Sequence, residues 1–349
     1  MADRRTLVKP PPIDPSKSDI ENVLELRELS AIAPDIFTNA RPLWHPPGAR
    51  GIYGGAVIAQ CLAAAQKTVP SNFTIHSMHC YFVLAGDSET PVMYYVEHVR
   101  EGKSFATRTV QARQRGKCIF TTTMSFVREN SGGTKPVSHA VHLPENIKLP
   151  IQDAEMEELE KKLGGNSPFT SYRIEILNSG SKSPHEKRTR QWIKARGSIS
   201  GGYQEHLSAL AYMSDSYFIG TVSRIHDLWR FGAPTNLKEE TETDEMKIRK
   251  RYVEKLKEQE GYAEDLHNKE KRPEIGMMVS LDHSIYFHEP RRFRADEWMF
   301  SEMSSPWSGD GRGVVTQHMF TKDGTLVATC FQEGVVRLKE EPLPTKSNL

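Results

Sequence analysis

Three polar side chains stand in settings that packing alone does not call for. Asp282 sits in the run Ser280 to Phe287, S-L-D-H-S-I-Y-F. A lone carboxylate in an apolar, aromatic-rich strand is costly unless it is paired or hydrogen-bonded. Ser305 lies in S-S-P-W-S-G, and Gln332 lies in V-A-T-C-F-Q-E-G-V-V. An acid, a hydroxyl and an amide can together hold a water: the acid takes its proton and the others fix its position. We therefore expect Asp282, Ser305 and Gln332 to meet around one water molecule. A hydrogen-bonded core aspartate with unrelated neighbours is the competing reading. Ser304 adjoins Ser305 and Ser308 is near, so the choice of hydroxyl stays open.

Other motifs do not survive inspection. Gly102-Lys103-Ser104 looks like the end of a phosphate-binding loop, but the earlier glycine of that pattern is Glu97. Gly197-Ser198-Ile199-Ser200-Gly201 has Ile199 where a nucleophile elbow needs serine. His76 and His79 are three apart on a strand and so point to opposite faces. His283 and His288 lack cysteine or carboxylate partners at zinc spacing. Gly309 to Gly313 is a hairpin turn. No metal or organic cofactor is expected.

The elements that must position the three residues form a repeated pattern. Gly55 to Val69 reads as a helix that is apolar on nearly every side and is therefore buried. Its start, Gly54-Gly55, could turn backbone N–H groups toward a ligand, as could Gly201-Gly202 further on. Strand-like runs follow at Ile75–Val83, Val92–Arg100, Ser104–Arg113 and Ile119–Val127. After a polar connection at 136–168, strands are expected at Tyr172–Leu177 and Gln191–Ser198. A second apolar helix, Gln204 to Ile219, precedes strands at Met277–Phe287, Trp298–Met303, Gly313–Thr321 and Leu326–Arg337. H-S-M-H-C-Y-F at 76–82 matches L-D-H-S-I-Y-F at 281–287, and R-G-K-C-I-F-T-T-T-M-S-F at 115–126 matches D-G-T-L-V-A-T-C-F-Q-E-G at 323–334. The chain thus carries an internal duplication of a helix-plus-sheet unit. Met124 stands where Gln332 stands, and Ser77-Met78 stand around the position of Asp282. The second copy is the polar one and the better place for catalysis. We expect units at 1–135 and 169–340 with a tail at 341–349. Residues 236–273, dense in Lys and Glu, read as a solvated helical insertion. A short helix is expected over Ile20–Leu29.

Bulk properties narrow the class. Lys and Arg number 46 against 45 Asp and Glu, which leaves no electrostatic case for nucleic acid or an anionic membrane as main partner. Four scattered cysteines without C-x-x-C spacing suit a reducing compartment. No secretory signal opens the sequence, and no stretch nears the roughly 18 apolar residues a membrane span needs. A soluble intracellular protein is expected. The last residues, Ser347-Asn348-Leu349, are similar to a peroxisomal Ser-Lys-Leu address with Asn348 in place of the basic residue.

Taken together, Y-G-G-A-V-I-A-Q, H-S-M-H-C-Y-F-V-L-A-G-D, V-R-E-G-K-S-F-A-T-R, S-L-D-H-S-I-Y-F-H, R-A-D-E-W, S-P-W-S-G and A-T-C-F-Q-E-G-V-V-R occur in order across both halves. In these segments the chain resembles the type II acyl-CoA thioesterase family. The resemblance implies an α+β double hotdog fold, two tandem antiparallel sheets each wrapped around a long apolar helix. It implies hydrolysis of fatty acyl-CoA to free fatty acid and CoA. It also implies that Asp282, Ser305 and Gln332 are the catalytic residues, that acyl-CoA is the partner, and that the site is peroxisomal through the tail and its import receptor, or otherwise cytoplasmic. Covered sheet edges imply a homo-oligomer. A hotdog enoyl-CoA hydratase is the alternative, against which stands the absence of a G-D-x-N-P-x-H run. A non-catalytic acyl-CoA binding or scaffold protein is the other.

Overall fold

The computed structural model describes residues 9–45, 51–135, 137–151, 153–163, 167–228, 243–260 and 273–339. In chain order the elements are α1 (Asp19–Leu24), β1 (Leu26–Glu28), β2 (Ile36–Asn39), α2 (Gly54–Gln66), β3 (Phe73–Phe82), β4 (Met93–Glu101), β5 (Phe105–Gln114) and β6 (Lys117–Arg128). Then come α3 (Ala154–Lys162), β7 (Phe169–Leu177), β8 (Arg188–Ala195), α4 (Tyr203–Ser214), α5 (Gly220–Ile225) and α6 (Asp244–Gln259). The last five are β9 (Ile275–Ser280), β10 (Asp282–Phe287), β11 (Met299–Gly309), β12 (Arg312–Thr321) and β13 (Leu326–Leu338).

Alternation along the strands gives the sheet an inner and an outer face. In β5 every second residue, from Ala106 to Gln114, is buried and the others are not. The strands form one 13-stranded sheet in the order β1-β2-β4-β5-β6-β3-β10-β13-β12-β11-β8-β7, with β9 beside β13. The duplication is legible in this order. One half runs β2, α2, β3 to β6 with neighbours β2-β4-β5-β6-β3, and the other runs β8, α4, β10 to β13 with neighbours β8-β11-β12-β13-β10. The halves join where β3 pairs antiparallel with β10, Asp282 opposite Tyr81 and Ser284 opposite His79.

Both central helices lie on the inner face. From Gly55 on, α2 buries nearly every residue, as its composition requires, and α4 buries His206 to Ser214 without a break. They run antiparallel and touch: Gln66 Nε2 donates to Ser208 Oγ at 2.9 Å at one end, and at the other a Cβ on Gly55 would lie 2.1 Å from the Tyr212 carbonyl. Glycine at 55 is thus a condition of the helix contact. One continuous apolar core runs from Ile58 and Leu62 through Met78 and Met124 to Leu210, Ile285 and Met319.

Several expectations need correction. The first helix is shorter than expected, because Ser18 and Glu21 form a capping box at its start and the chain turns to strand at Leu26. Ser305 lies inside β11 at an irregularity between Ser304 and Trp307, which accommodates Pro306. The charged insertion is not simply solvated where it is described. In α6, Arg251 pairs with Glu155 at 2.6 Å and Lys255 with Asp153 at 3.2 Å, while buried Glu260 beyond it binds Arg173 at 2.5 Å and Arg224 at 3.3 Å. The tail at Ser347-Asn348-Leu349 lies outside the described residues. Among the described residues no helix is long and apolar enough to cross a membrane.

Candidate active site

The three expected residues do not converge. Gln332 is 1% exposed and lies on the inner face of β13 between buried Cys330 and Gly334. Asp282 is half-buried at the start of β10, whose inward residues are His283, Ile285 and Phe287. Its carboxylate Oδ1 accepts the Glu333 backbone N–H at 2.6 Å, on the outer side of the strand pair. Ser305 is buried on the inner face, but its hydroxyl donates to the Trp307 carbonyl at 3.2 Å. Strand β12 stands between it and Gln332, with Val315 opposite Gln332, so two ladder spacings of about 4.8 Å each separate them.

Asp282 has a structural task that accounts for its presence. Gly334 pairs with Ser280 and Phe331 with Ser284. Between those pairs Leu281, Asp282 and His283 face only Gln332 and Glu333, so one strand carries an extra residue. Leu281 N donates to the Glu333 carbonyl at 2.9 Å, and the Asp282 carboxylate takes the Glu333 N–H in place of a backbone acceptor. The bulge resets the alternation. Ser280, opposite inward-facing Gly334, shares the inner face with Gln332 and His283, although it stands an odd number of positions from His283.

Gln332 meets an acid that sequence reasoning missed. Its Nε2 donates to Asp215 Oδ1 at 2.8 Å, and the other oxygen, Oδ2, accepts the Gly55 N–H at 3.0 Å. Asp215 is the C-cap of α4, so the end of one central helix meets the start of the other. Burial pushes its pKa up to about 6, and the hydrogen bonds from Gln332 and Gly55 offset part of that rise. The positive end of α2 works in the same direction as those bonds. A Cβ on Gly54 would lie 2.7 Å from Asp215 Oδ2, so this approach also needs glycine. The Gly55 N–H, expected to face a ligand, is therefore committed to Asp215, and the Gly201 N–H at the other helix start is taken by Glu21 Oε1 at 3.0 Å.

Around Asp215 several buried polar atoms await a partner. Gln332 Oε1 and the hydroxyls of Tyr53 and Tyr212 make no hydrogen bond among the described residues. The tyrosine rings lie 5.0 Å apart, and burial first, then the Asp215 charge, pushes both hydroxyls up. Such orphaned atoms cost about 1–3 kcal/mol each unless a water or ligand satisfies them. Gln332 also reaches His283 Nδ1 at 3.1 Å, and burial holds that imidazole neutral by lowering it to about 3. The sequence did hold a signal for Asp215. It is the lone acid in the apolar run L-S-A-L-A-Y-M-S-D-S-Y-F-I, the same anomaly that singled out Asp282.

A buried carboxylate with a raised pKa beside an amide, between a helix and a sheet, is the candidate site, and comparisons with known proteins give the family. Residues 41–127 match the model of the acyl-CoA thioesterase N-terminal domain and residues 150–336 that of the acyl-CoA thioesterase C-terminal domain. Acyl-coenzyme A thioesterase 8 of Homo sapiens is 32% identical over 96% of this chain and 94% of its own length. The peroxisomal acyl-coenzyme A thioester hydrolase 1 of Saccharomyces cerevisiae is 26% identical over 92% of this chain and 96% of its own. Among solved structures, the acyl-CoA thioesterase II TesB2 of Mycobacterium marinum superposes with a TM-score of 0.64 at 26% identity, covering 93% of this chain and 99% of that one. A hot dog fold protein of unknown function from Alicyclobacillus acidocaldarius superposes with a TM-score of 0.54 at 16% identity, covering 92% and 98%. The chain belongs to the acyl-CoA thioesterase family and is a thioester hydrolase by that membership.

Proposed function

We propose that this protein hydrolyses fatty acyl-CoA to free fatty acid and CoA at Asp215, Gln332 and Ser280. The observation that carries this assignment is the Asp215–Gln332 contact at 2.8 Å, with Gln332 Oε1 left buried and unpartnered beside it. Asp215 accepts one proton of a water, and Gln332 Oε1 accepts a hydrogen bond from the other. The Ser280 hydroxyl, brought to the same face by the bulge, completes the water's seat. The water oxygen bonds to the thioester carbon, the carbon–sulfur bond breaks, and protonated Asp215 returns its proton to the departing sulfur. General-base assistance of this kind contributes about 10²–10⁴-fold. The acyl chain runs along the apolar space between helices and sheet.

Two hotdog units in tandem, meeting at β3 and β10, fit the duplicated strand order, with the boundary in 136–168. The name of the yeast relative supports a peroxisomal setting reached through the tail and an import receptor. Outward-facing Tyr286 and Phe331, 40% and 41% exposed on central strands, support a homo-oligomer.

Thiol release from acyl-CoAs of graded length tests the assignment, with Asp215→Ala and Asp282→Ala beside the parent. Asp215→Ala is expected to lose about 10²-fold or more in kcat. A variant at Asp215 that keeps the parent rate, while Asp282→Ala loses it, would return the chemistry to Asp282.

A further inference from the structure

Gln332 can serve the water only if it turns its carbonyl oxygen into the site and its nitrogen away. The two ends of a carboxamide have nearly the same shape, so packing does not choose between them. A chain of protons makes the choice, and it is anchored on a backbone carbonyl. Ser214 Oγ donates its single proton to the Ala211 carbonyl at 3.0 Å, a group that can only accept. The Ser214 oxygen lies 3.0 Å from His283 Nε2 and, its proton being spent, must accept there. His283 therefore carries its proton on Nε2 and leaves Nδ1 bare. Only an N–H can face a bare ring nitrogen, and the Gln332 atom 3.1 Å from Nδ1 must then be the amide nitrogen. Its second proton goes to Asp215 Oδ1, and Oε1 is left for the site. Phe218, edge-on to the ring with centroids 5.3 Å apart, helps keep the imidazole in place.

We propose that His283 is the positioning residue that sets the orientation of the Gln332 amide, through a tautomer fixed by Ser214 and Ala211. The first repeat has Met78 opposite Met124 at the matching place, two side chains with no orientation to set. This proposal rests on the Asp215–Gln332 reading of the site.

The test is steady-state thiol release from His283→Asn and His283→Gln, each in the parent and in a Gln332→Ala background. An asparagine oxygen falls near Nδ1 and can hold the Gln332 nitrogen; a glutamine reaches only the Nε2 position and Ser214. His283→Gln is expected to lower kcat about tenfold or more with KM little changed, and His283→Asn to recover most of that loss. On Gln332→Ala neither change should cost anything further, because His283 acts through that amide. Ser214→Ala, a smaller change at the anchor, is expected to lower kcat in the parent and not in Gln332→Ala. Equal losses in His283→Asn and His283→Gln overturn the proposal, as does a His283→Gln or Ser214→Ala loss repeated in full on top of Gln332→Ala. Full activity in Gln332→Ala alone would overturn the site reading itself, and is distinguished by needing no change at His283.

Discussion

At the scale of single residues, the proposed mechanism puts the pH dependence on Asp215. An ordinary aspartate titrates near 3.8, whereas burial raises this one to about 6. A general base works only when deprotonated, so kcat/KM should rise about tenfold per pH unit below that value and level off above it. A pH–rate profile checks this; a limb near 4 would point to a more solvated carboxylate. Stability should move in the opposite sense. Because the folded state holds the Asp215 proton more tightly than the unfolded chain, its contribution is complete below pH 3.8 and is lost as pH rises through about 6. His283 acts oppositely: with its pKa depressed to about 3 in the folded state, its contribution is complete above pH 6.5 and is lost as pH falls from there through about 3. Melting curves of Asp215→Asn and parent from pH 4 to 7 isolate the first effect, and the expected outcome is that only the parent carries the Asp215 slope.

At the scale of elements, the bulge at Leu281 and the glycine pair at α2 do the positioning. Asp282→Ala leaves the Glu333 N–H without its carboxylate acceptor, a loss of about 1–3 kcal/mol, and loosens the reset that turns Ser280 inward. The expected outcome is a lower Tm together with a partial loss of kcat, smaller than that of Asp215→Ala. Asp282→Asn, whose side-chain oxygen can still accept, should recover most of both. Such elements explain what was legible in the sequence and what was not. Periodicity and the two matched segments revealed the strands, both apolar helices and the second copy as the polar one. The same match, H-S-M-H against D-H-S around 78 and 283, pairs Met78 with His283 and Met124 with Gln332, and in the folded chain each pair faces itself across two strands. Asp282 lies on the outer face because of an extra residue at Leu281, and alternation read without that bulge cannot tell. Ser305 is separated from Gln332 by strand β12, which sequence distance does not register. Asp215 was hidden by being a helix end: its role depends on α4 meeting α2, a contact between residues 160 apart.

At the scale of the whole molecule, the proposed site has no matching set of residues in the first half of the duplicated strand order. The C-cap of α4 is Asp215 and that of α2 is Lys67, so the matching helix end brings a cation rather than a base. The segment leading into α4, counterpart of the one leading into α2, is held from α1. Glu21 Oε1 accepts from Ser200 N and Gly201 N at 3.0 Å each, while Oε2 completes the capping box of its own helix. One carboxylate thus caps α1 and ties the backbone just before α4 to it. Two consequences can be measured. A non-hydrolysable acyl-CoA analogue should bind one per chain in a calorimetric titration; two equal sites per chain would contradict the asymmetry. Glu21→Ala should lower stability by about 1–3 kcal/mol through the lost cap and the freed N–H groups, with kcat largely retained. Combined with Asp215→Ala it should restore nothing, because opening the second helix start supplies neither a base at Lys67 nor an amide at Met124. Measurable hydrolysis by that double variant would show that the first half still holds a site of its own.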